Sequence, residues 1–421
     1  MRVLYHHRTL AEDAQGVHIE EILRALERAG HTVREVSLVS RSAAAGGNAS
    51  KDGGGSDRPR GDDGAKRGVL WKLVARVARG PFYELLEYAY NIPARRRLER
   101  EIRAFRPHLV YERYALSTIA GVRAAKAAGV PHVLEVNAPL VEEKRRWGRL
   151  WLPKVARRVE ARIFRETDRV LVVSDVLGER VRATGVPEER IRTVRNGADV
   201  DRFHPRTPAR RVREAHGLGA RCVLGFVGWF RTWHGIESVL EAMAHPALAD
   251  CPVDLFLVGD GPARASIEAT ARRLGLEDRV KITGAVGREA VPRHVAAFDV
   301  AIQPAATDYA CPMKIPEYMA AGKPVIAPDQ PNIRELVGHE VTGLLFRVGD
   351  VESMARAIER LVADPDTRRS LGDAARRHVR DEGLTWRANA ERILLLQKEI
   401  ERGRRGSRGD GDQAGGASSD K

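Results

Sequence analysis

The sequence has 421 residues and a formal net charge of +14, with 71 lysines and arginines against 57 acidic residues. This length allows two domains with full hydrophobic cores, and the basic balance favours an anionic partner such as a nucleotide or an acidic membrane. The charge comes without the aromatic-interleaved basic motif of a nucleic-acid-binding module, so no nucleic-acid partner is expected.

Cysteine usage and hydropathy exclude further classes. The three cysteines, Cys222, Cys251 and Cys311, are isolated and lack the spacing of a zinc site or a disulfide framework. No apolar run approaches the ~18 residues of a transmembrane helix, and the N-terminus leads into a predicted strand rather than a signal peptide. We therefore expect a cytoplasmic protein.

The chain begins with a predicted β-α-β unit. Residues 2–5 form its first strand, an amphipathic helix ends at Gly30, and residues 32–36 form the second strand. Its first loop lacks G-x-G-x-x-G and contains His6, His7, Gly16 and His18 instead. A dinucleotide cofactor is therefore not expected at this turn, and the histidines are interpreted first as surface or core residues.

The first half also contains segments of unusual composition. Residues 42–66 are rich in Gly, Ser, Asp and Arg, which predicts a disordered insertion. Residues 69–79 and 144–151 combine Lys and Arg with Trp and Leu. Such stretches favour docking on an anionic membrane surface, at the inner face of the cell membrane. Core-packing helices with a solvated basic face are the alternative.

Four further strands are predicted at residues 108–111, 132–136, 169–173 and 191–194, with helical patterns between them. This alternation predicts an α/β fold with a mostly parallel sheet covered on both faces. Functional loops of such a sheet lie at the carboxyl ends of its strands. These loops carry Glu112, Arg113, Asn137, Ser174, Asp175, Asn196 and Gly197. The last two are equally typical of a plain tight turn.

The α/β alternation resumes after a predicted linker at residues 206–219. A strand at residues 222–227 leads into the loop 228–235, GWFRTWHG. A strand beginning at Val253 leads into a G-D-G turn that contains Gly259 and Gly261. Both loops are predicted to face a phosphate-bearing ligand.

The most informative segment is residues 309–327, YACPMKIPEYMAAGKPVIA. It follows a predicted strand at residues 300–303 and predicts a helix that begins at Pro312 and is stopped by Gly322. The amino end of such a helix attracts phosphate. Lys314 adds a full charge there, and Glu317, one turn further, is placed to accept hydrogen bonds from a ribose diol.

The pattern P-x-K-x-x-E-Y-M-A-x-G-K-P-V in this segment resembles the donor-nucleotide motif of the family 4 glycosyltransferases. The resemblance covers about residues 1–400 and is stronger in the second half. It implies the GT-B fold, in which two Rossmann-like domains face one cleft and the last helix crosses back to the N-terminal domain. It also places residues 281–284 near the nucleobase.

The resemblance implies roles for individual residues. Glu317 matches the family's second glutamate, which binds the ribose. Tyr309 stands in place of the first glutamate, near the donor sugar, and Asp308 beside it is only a partial substitute. Asn137 falls where many relatives carry a histidine near the transferred sugar. Gly16 matches the glycine that lets the first turn approach donor and acceptor. Asn137, Glu317 and Tyr309 are thus the catalytic candidates.

The diphosphate-binding loop departs from the family pattern. Relatives commonly have an arginine after the first glycine and a lysine before the second, where this chain has Trp229 and His234. A buried dianion without cations is costly, so the charge is assigned to Arg231 and Lys314. His234 can still donate a hydrogen bond when neutral. Gly16, Arg231, His234, Gly259, Gly261, Lys314 and Glu317 are the donor-binding candidates.

These elements predict the domain organisation. We expect an N-terminal acceptor domain over residues 1–205, the linker at 206–219, and a C-terminal nucleotide-sugar domain over 220–385. The chain is predicted to be helical from Val351 to about Arg402, with the crossover helix at 386–402. The composition of residues 403–421 predicts a disordered tail.

The resemblance implies transfer of a sugar from a nucleotide-sugar donor to a saccharide or lipid-linked acceptor hydroxyl, with retention, in surface polysaccharide, glycolipid or glycoconjugate synthesis. Because fixed cations can replace a metal, we expect no obligatory divalent ion and no other cofactor.

Three alternatives to a glycosyltransferase stay open. The first is an epimerase or phosphorylase, because these enzymes share the GT-B architecture. The second is an inactive relative that binds a nucleotide sugar, because Tyr309, Trp229 and His234 depart from the family pattern. The third, a Rossmann oxidoreductase, is weaker because the sequence lacks G-x-G-x-x-G.

Overall fold

The computed structural model describes residues 1–9, 14–38, 80–148 and 150–413. The chain divides into two compact units. The first comprises Met1–Leu171, Arg180–Arg192 and Leu394–Lys421, and the second comprises Val172–Glu179 and Thr193–Ile393. The predicted insertion at residues 42–66 and the basic stretch at residues 69–79 lie outside the described residues.

The first sheet has six strands within the described residues, in the order β2-β1-β3-β4-β5-β6. Their bounds are Arg2–His7 (β1), Thr32–Ser37 (β2), Leu109–Arg113 (β3), His132–Val136 (β4), Arg169–Val172 (β5) and Ile191–Thr193 (β6). β1 pairs in parallel with β2 and β3, and β3 with β4. Every residue of β4 is buried, as the short apolar run predicts for a strand covered on both faces.

Helices lie between these strands. They are Ala14–Arg28 (α1), Pro81–Ala89 (α2), Asn91–Phe105 (α3), Ala120–Ala127 (α4), Leu140–Arg146 (α5), Pro153–Glu166 (α6) and Asp175–Arg182 (α7). In α3 the buried residues Ala94, Leu98 and Ile102 recur at every fourth position and form one apolar stripe. This stripe packs against Leu4 and Val110 of the sheet.

A chain of polar groups crosses the first core. The carboxylate of Glu112, on β3, lies 2.9 Å from His132 Nε2 on β4 and 3.8 Å from His6 Nε2 on β1. His132 Nδ1 contacts Thr167 Oγ1 at 2.6 Å, so both ring nitrogens are bonded. Gly121 leaves room for this carboxylate, because a Cβ there would lie 1.9 Å from Glu112 Oε2. His6 is therefore a core residue, as the default interpretation of the loop histidines predicts.

The second sheet has the order β12-β11-β10-β7-β8-β9 in the part of the chain that is described. Its strands are Cys222–Val227 (β7), Val253–Val258 (β8), Val280–Ile282 (β9), Val300–Ile302 (β10), Val325–Pro328 (β11) and Gly343–Phe346 (β12). The ladders between these strands are parallel. The predicted alternation of strands and helices is thus confirmed in both halves of the chain.

The helices of this unit are Arg210–Ala215 (α8), Ile236–Met243 (α9), Arg264–Arg273 (α10), Val291–Ala296 (α11), Lys314–Ala320 (α12), Pro331–Arg334 (α13), Val351–Ala363 (α14) and Pro365–Asp381 (α15). Residues 206–219, predicted as a linker, contain α8 and belong to the second unit. They are packed rather than extended, because Arg213 pairs with Asp299 at 3.3 Å and also donates to the Ala297 carbonyl at 3.0 Å.

The segment from Val351, predicted to be helical with a separate last helix from residue 386, consists of three helices. α14 ends before Asp364, whose side chain caps α15 by accepting from the amides of Asp366 and Thr367. A second break follows at Gly383, in the left-handed region with φ of 60°. Both breaks depend on single capping residues that the helical periodicity does not reveal.

The last helix, Trp386–Gln413 (α16), begins in the second unit, and its residues from Leu394 belong to the first. Its predicted end was Arg402, but the helix continues to Gln413. Arg404 stabilises this extension, since it donates to the Gly129 carbonyl at 2.8 Å and pairs with Asp168 at 2.9 Å. Residues 414–421 lie outside the described residues.

Candidate functional site

Two loops pack backbone to backbone at the carboxyl ends of β7 and β8. The Gly228 amide donates to the Val258 carbonyl at 3.0 Å, and the Phe230 amide donates to the Asp260 carbonyl at 2.6 Å. A Cβ at Gly259 would lie 2.0 Å from the Gly228 carbonyl oxygen, and one at Gly261 would lie 2.4 Å from the Phe230 backbone. These glycines are required for the close approach of the loops, and their contact with a donor stays a prediction.

His234 fixes the loop 228–235 from within. It ends the single 3-10 turn Thr232–His234, and its Nδ1 accepts from the Arg231 amide at 3.4 Å. Burial, with the charges of Lys314 and Arg231, lowers the pKa of His234 to about 3. A hydrogen bond to the Trp229 backbone only partly opposes this shift. The imidazole is therefore neutral and holds the loop, while its predicted hydrogen bond to the donor stays a prediction.

Lys314 brings its ammonium to the same loop. It is the first residue of α12, and its Nζ lies 4.0 Å from the centre of the Phe226 ring. A Cβ at Gly228 would lie 3.1 Å from this Nζ. Burial lowers the pKa of Lys314 to about 7, although the nearby Glu317 opposes the shift. The His234 ring lies 5.4 Å from the same Phe226 ring, and the Arg231 amide is bonded to His234, so the structure brings these three predicted residues to one loop.

The helix α12 starts later than predicted. Pro312 was expected in its first turn, but Pro312 lies before the helix, which begins at Lys314. The preceding loop is held by side chains from elsewhere in the unit. Asn332 Nδ2 donates to the carbonyls of Thr307 and Ala310 at 2.9 and 2.7 Å, and Asn196 Nδ2 donates to the Cys311 carbonyl at 2.6 Å. Asn196 is therefore an anchor of this loop and not a residue of a plain turn.

Tyr309 is mostly inside this loop. The residue is 9% exposed, and its backbone carbonyl accepts from Ser174 Oγ at 2.7 Å. Asp308, the predicted partial substitute for the family's glutamate, is exposed. The structure therefore gives Tyr309 a packing role, and its catalytic assignment stays a prediction.

Glu317 is buried and held by an arginine that the sequence did not reveal. Its Oε1 accepts from Arg288 Nη2 at 2.7 Å, and the guanidinium of Arg288 lies 5.8 Å from the ring centre of Phe203. The next residue, Tyr318, accepts the Val227 amide at 2.8 Å through its hydroxyl, which fixes α12 against the end of β7. Glu317 is thus in a defined orientation one helical turn from Lys314.

The candidate residues of the first unit surround one carboxylate. Asn137 Nδ2 and the Tyr111 hydroxyl donate to Glu135, Arg113 Nη1 donates to its Oε1 at 2.8 Å, and His18 Nε2 lies 3.4 Å away. Burial raises the pKa of Glu135, but the charges of His18 and Arg113 and the two neutral hydrogen bonds outweigh it and lower the pKa overall. An ionised Glu135 therefore orients Asn137.

Gly16 lies in the same unit, buried in the first turn of α1 two residues before His18. Sequence reasoning missed Glu135, and its only local signal was a charged residue within the apolar strand at residues 132–136.

The structure also contains a cavity of about 490 Å³ away from these residues. It is bounded by His132 and Arg169, at the amino ends of β4 and β5, and by Glu399 and Arg404 of α16. Ligand sites of parallel sheets lie at the opposite, carboxyl ends of the strands. The predicted site residues lie at the carboxyl ends of the strands, so we place the candidate site there and not in the cavity.

The described residues contain no group of three or more His, Cys, Asp or Glu side chains that could hold a metal ion. Within the same residues, every helix is too short or too polar to cross a membrane.

Known proteins resemble both halves of the chain. The family model described as Glycosyltransferase Family 4 matches residues 15–202, and the one described as Glycosyl transferases group 1 matches residues 221–364. A GDP-mannose-dependent alpha-mannosyltransferase of Mycobacterium tuberculosis is 30% identical over 354 residues, which are 83% of this chain and 87% of that protein. The protein of the same name from Mycolicibacterium smegmatis is 28% identical over 396 residues, covering 94% and 96% of the two chains.

Solved structures agree in fold. A glycosyltransferase from Rickettsia africae superposes with a TM-score of 0.71 at 16% identity, covering 95% of this chain and 98% of that one. The fold likeness and the family matches confirm what the donor motif predicts. The chain belongs to glycosyltransferase family 4 and has the GT-B fold.

Proposed function

We propose that the second unit binds the donor through three side chains. Arg231 and Lys314 neutralise the diphosphate and stabilise the departing nucleoside diphosphate, and Glu317 accepts hydrogen bonds from the ribose diol. The observation that carries this proposal is the placement of Lys314 beside Gly228, with Glu317 one turn along the same helix. The epimerase and phosphorylase alternatives are not favoured, because the matched relatives are glycosyltransferases.

GDP-mannose is the proposed donor. It is supported by the two mannosyltransferases that align over most of the chain. We propose a saccharide or lipid-linked acceptor hydroxyl and retention of the donor's anomeric configuration, with Asn137 near the transferred sugar. The α linkage in the names of these relatives supports the stereochemical part. The one-bond coupling between the anomeric carbon and its proton, in the NMR spectrum of the first product, tests it.

Thermal stabilisation by nucleotides tests the donor. We expect GDP and GDP-mannose to raise the melting temperature more than UDP, UDP-glucose or NADH do, because a ligand that binds only the folded state stabilises it. Transfer is then measured with the selected donor and a panel of saccharide acceptors. Stabilisation by none of these nucleotides would contradict the proposed function. Conversion of the nucleotide sugar without an acceptor into an epimer would favour the epimerase instead.

We also propose that transfer needs no divalent cation. The support is chemical, because Arg231 and Lys314 supply fixed positive charge where a metal would otherwise offset the leaving group. Activity with the selected donor is compared before and after treatment with EDTA. Loss of activity that Mg²⁺ or Mn²⁺ restores would contradict the proposal.

An anionic membrane surface is the proposed partner of the first unit. Phe82 and Leu85 of α2 are 64% and 54% exposed, and Trp147 and Trp151 of the loop after α5 are 65% and 60% exposed. Glu84 joins the two segments, since its carboxylate accepts the amides of Trp151 and Leu152 at 2.7 and 2.8 Å. The neighbouring cations are Lys144, Arg145 and Arg146. Exposed aromatic residues beside cations are typical of a membrane-interface surface.

Liposome flotation tests this surface. We expect the protein to float with vesicles that contain anionic lipid at low salt and to remain in solution with neutral vesicles, because salt screens the attraction of Lys and Arg to lipid headgroups. The double variant Trp147→Ala, Trp151→Ala is expected to lose most of the floated fraction. Trp233→Ala removes a similarly exposed tryptophan from the other unit and serves as the control. Equal flotation of all variants would refute the assignment of this surface.

A further inference from the structure

Two exposed tryptophans stand on the loop 228–235. Trp229 is 50% exposed and Trp233 is 56% exposed, whereas Phe226 and Phe230 nearby are fully buried. An indole left in water forgoes the stabilisation that burial gives a side chain of its size. Two such rings on one short loop at the carboxyl end of a parallel strand indicate a ligand-contacting role.

The backbone that carries these rings is fixed. Phe230 is bonded on both sides, since its amide donates to the Asp260 carbonyl at 2.6 Å and its carbonyl accepts from the Ala263 amide at 3.1 Å. The neutral imidazole of His234 holds the following turn through the Arg231 amide. A ligand that stacks on the indoles therefore meets a preorganised surface and loses little free energy to ordering of the loop.

A cation adjoins one of the two rings. The guanidinium of Arg231 lies 5.4 Å from the centre of the Trp233 ring. Trp229 directly follows Gly228, and a Cβ built at Gly228 would lie 3.1 Å from Lys314 Nζ. Both tryptophans therefore stand on the loop that adjoins the two cations proposed to bind the diphosphate.

We propose that Trp229 and Trp233 form a stacking platform for the pyranose ring of the donor sugar. The inference rests on the proposed function, because it places the ring next to the diphosphate that Arg231 and Lys314 bind. One face of a pyranose presents C–H groups, which stack on the electron-rich face of an indole, while the hydroxyl groups at the rim stay hydrated.

Calorimetric titration of the full chain with GDP and with GDP-mannose tests the platform. The sugar's contribution is the ratio of the two dissociation constants. We expect Trp229→Ala to weaken GDP-mannose about tenfold, in line with the stacking energies of exposed aromatic platforms, and to change GDP less than twofold. Trp229→Phe keeps a ring and should retain most of the preference for the sugar nucleotide. Trp147→Ala, a similarly exposed tryptophan of the first unit, is the control and should change neither constant.

Each other outcome would overturn the inference. If Trp229→Ala weakens GDP as much as GDP-mannose, the indole contacts the nucleotide and not the sugar. If it changes neither constant at an unaltered melting temperature, the platform does not exist. If wild-type protein binds neither GDP-mannose nor UDP-glucose, the proposed function itself fails. This result is distinct from failure of the platform, because it is seen without any substitution.

Discussion

Lys314→Met is expected to lower kcat/KM about 100- to 1,000-fold, the usual cost of losing one preorganised group that stabilises charge in a transition state. The ammonium lies beside Gly228 in a site where burial lowers its pKa to about 7, so solvent screens it little. The diphosphate is charged in the bound donor and gains further negative charge as the sugar departs, so the effect should appear in both KM and kcat. Steady-state kinetics with the selected donor measure it.

Lys323→Met is the matched control for this prediction. Lys323 follows the other end of α12, and burial lowers its pKa to about 8, but its Nζ donates to the carbonyls of Ala296 and Phe298 at 2.9 and 2.6 Å. We expect this variant to lose thermal stability and to retain kcat. If both variants lose stability and activity in proportion, Lys314 is a structural residue.

The low pKa of Lys314 also predicts how donor binding depends on pH. The protonated amine binds the diphosphate, and its pKa in the free protein is about 7. The dissociation constant should therefore be constant below pH ~7 and rise up to about tenfold per pH unit above it, because deprotonation then competes with binding. Lys314→Arg keeps its charge throughout this range and should remove the dependence. Titrations between pH ~6 and ~9 distinguish the two curves, and identical curves would contradict the assignment.

The strands could be predicted because each is a short apolar run whose periodicity is local. β4, for example, has the same bounds, His132–Val136, in the prediction and in the structure. The helix break at Asp364 was missed because one capping residue outweighs a periodic pattern that continues across it. The start of α12 was misplaced because Asn332 and Asn196, distant in the chain, hold the preceding loop.

The site was predictable where one continuous motif carries it. Lys314 and Glu317 come from such a motif, and the structure places both on α12. Arg288, which pairs with Glu317, comes from another loop, and nothing in its own neighbourhood distinguishes it from the many other arginines. Gly259 shows the same limit, because the sequence predicts a glycine turn but not the carbonyl of Gly228 against which that turn packs.

Glu317→Gln is expected to weaken the nucleotide sugar about 10- to 100-fold, because a hydrogen bond to a charged group contributes about 1.5–3 kcal/mol and a tenfold change in affinity corresponds to about 1.4 kcal/mol. The substitution keeps the shape of the side chain and removes its charge. Calorimetric titration gives the affinity. Glu289→Gln, at an 82% exposed side chain that pairs with Arg202, is the control and should leave it unchanged.

Sugar-modified nucleotides separate a ribose contact from a structural role. Wild-type protein should bind GDP more tightly than 2′,3′-dideoxy-GDP, and Glu317→Gln should lose most of that preference, since the two changes remove the same hydrogen bonds. If Glu317 is purely structural and serves only to neutralise Arg288, the melting temperature and the nucleotide affinities change differently. In that case Glu317→Gln lowers the melting temperature and the preference for the ribose diol persists at its wild-type value, because a half-buried guanidinium that loses this carboxylate destabilises the fold but not the ligand contact.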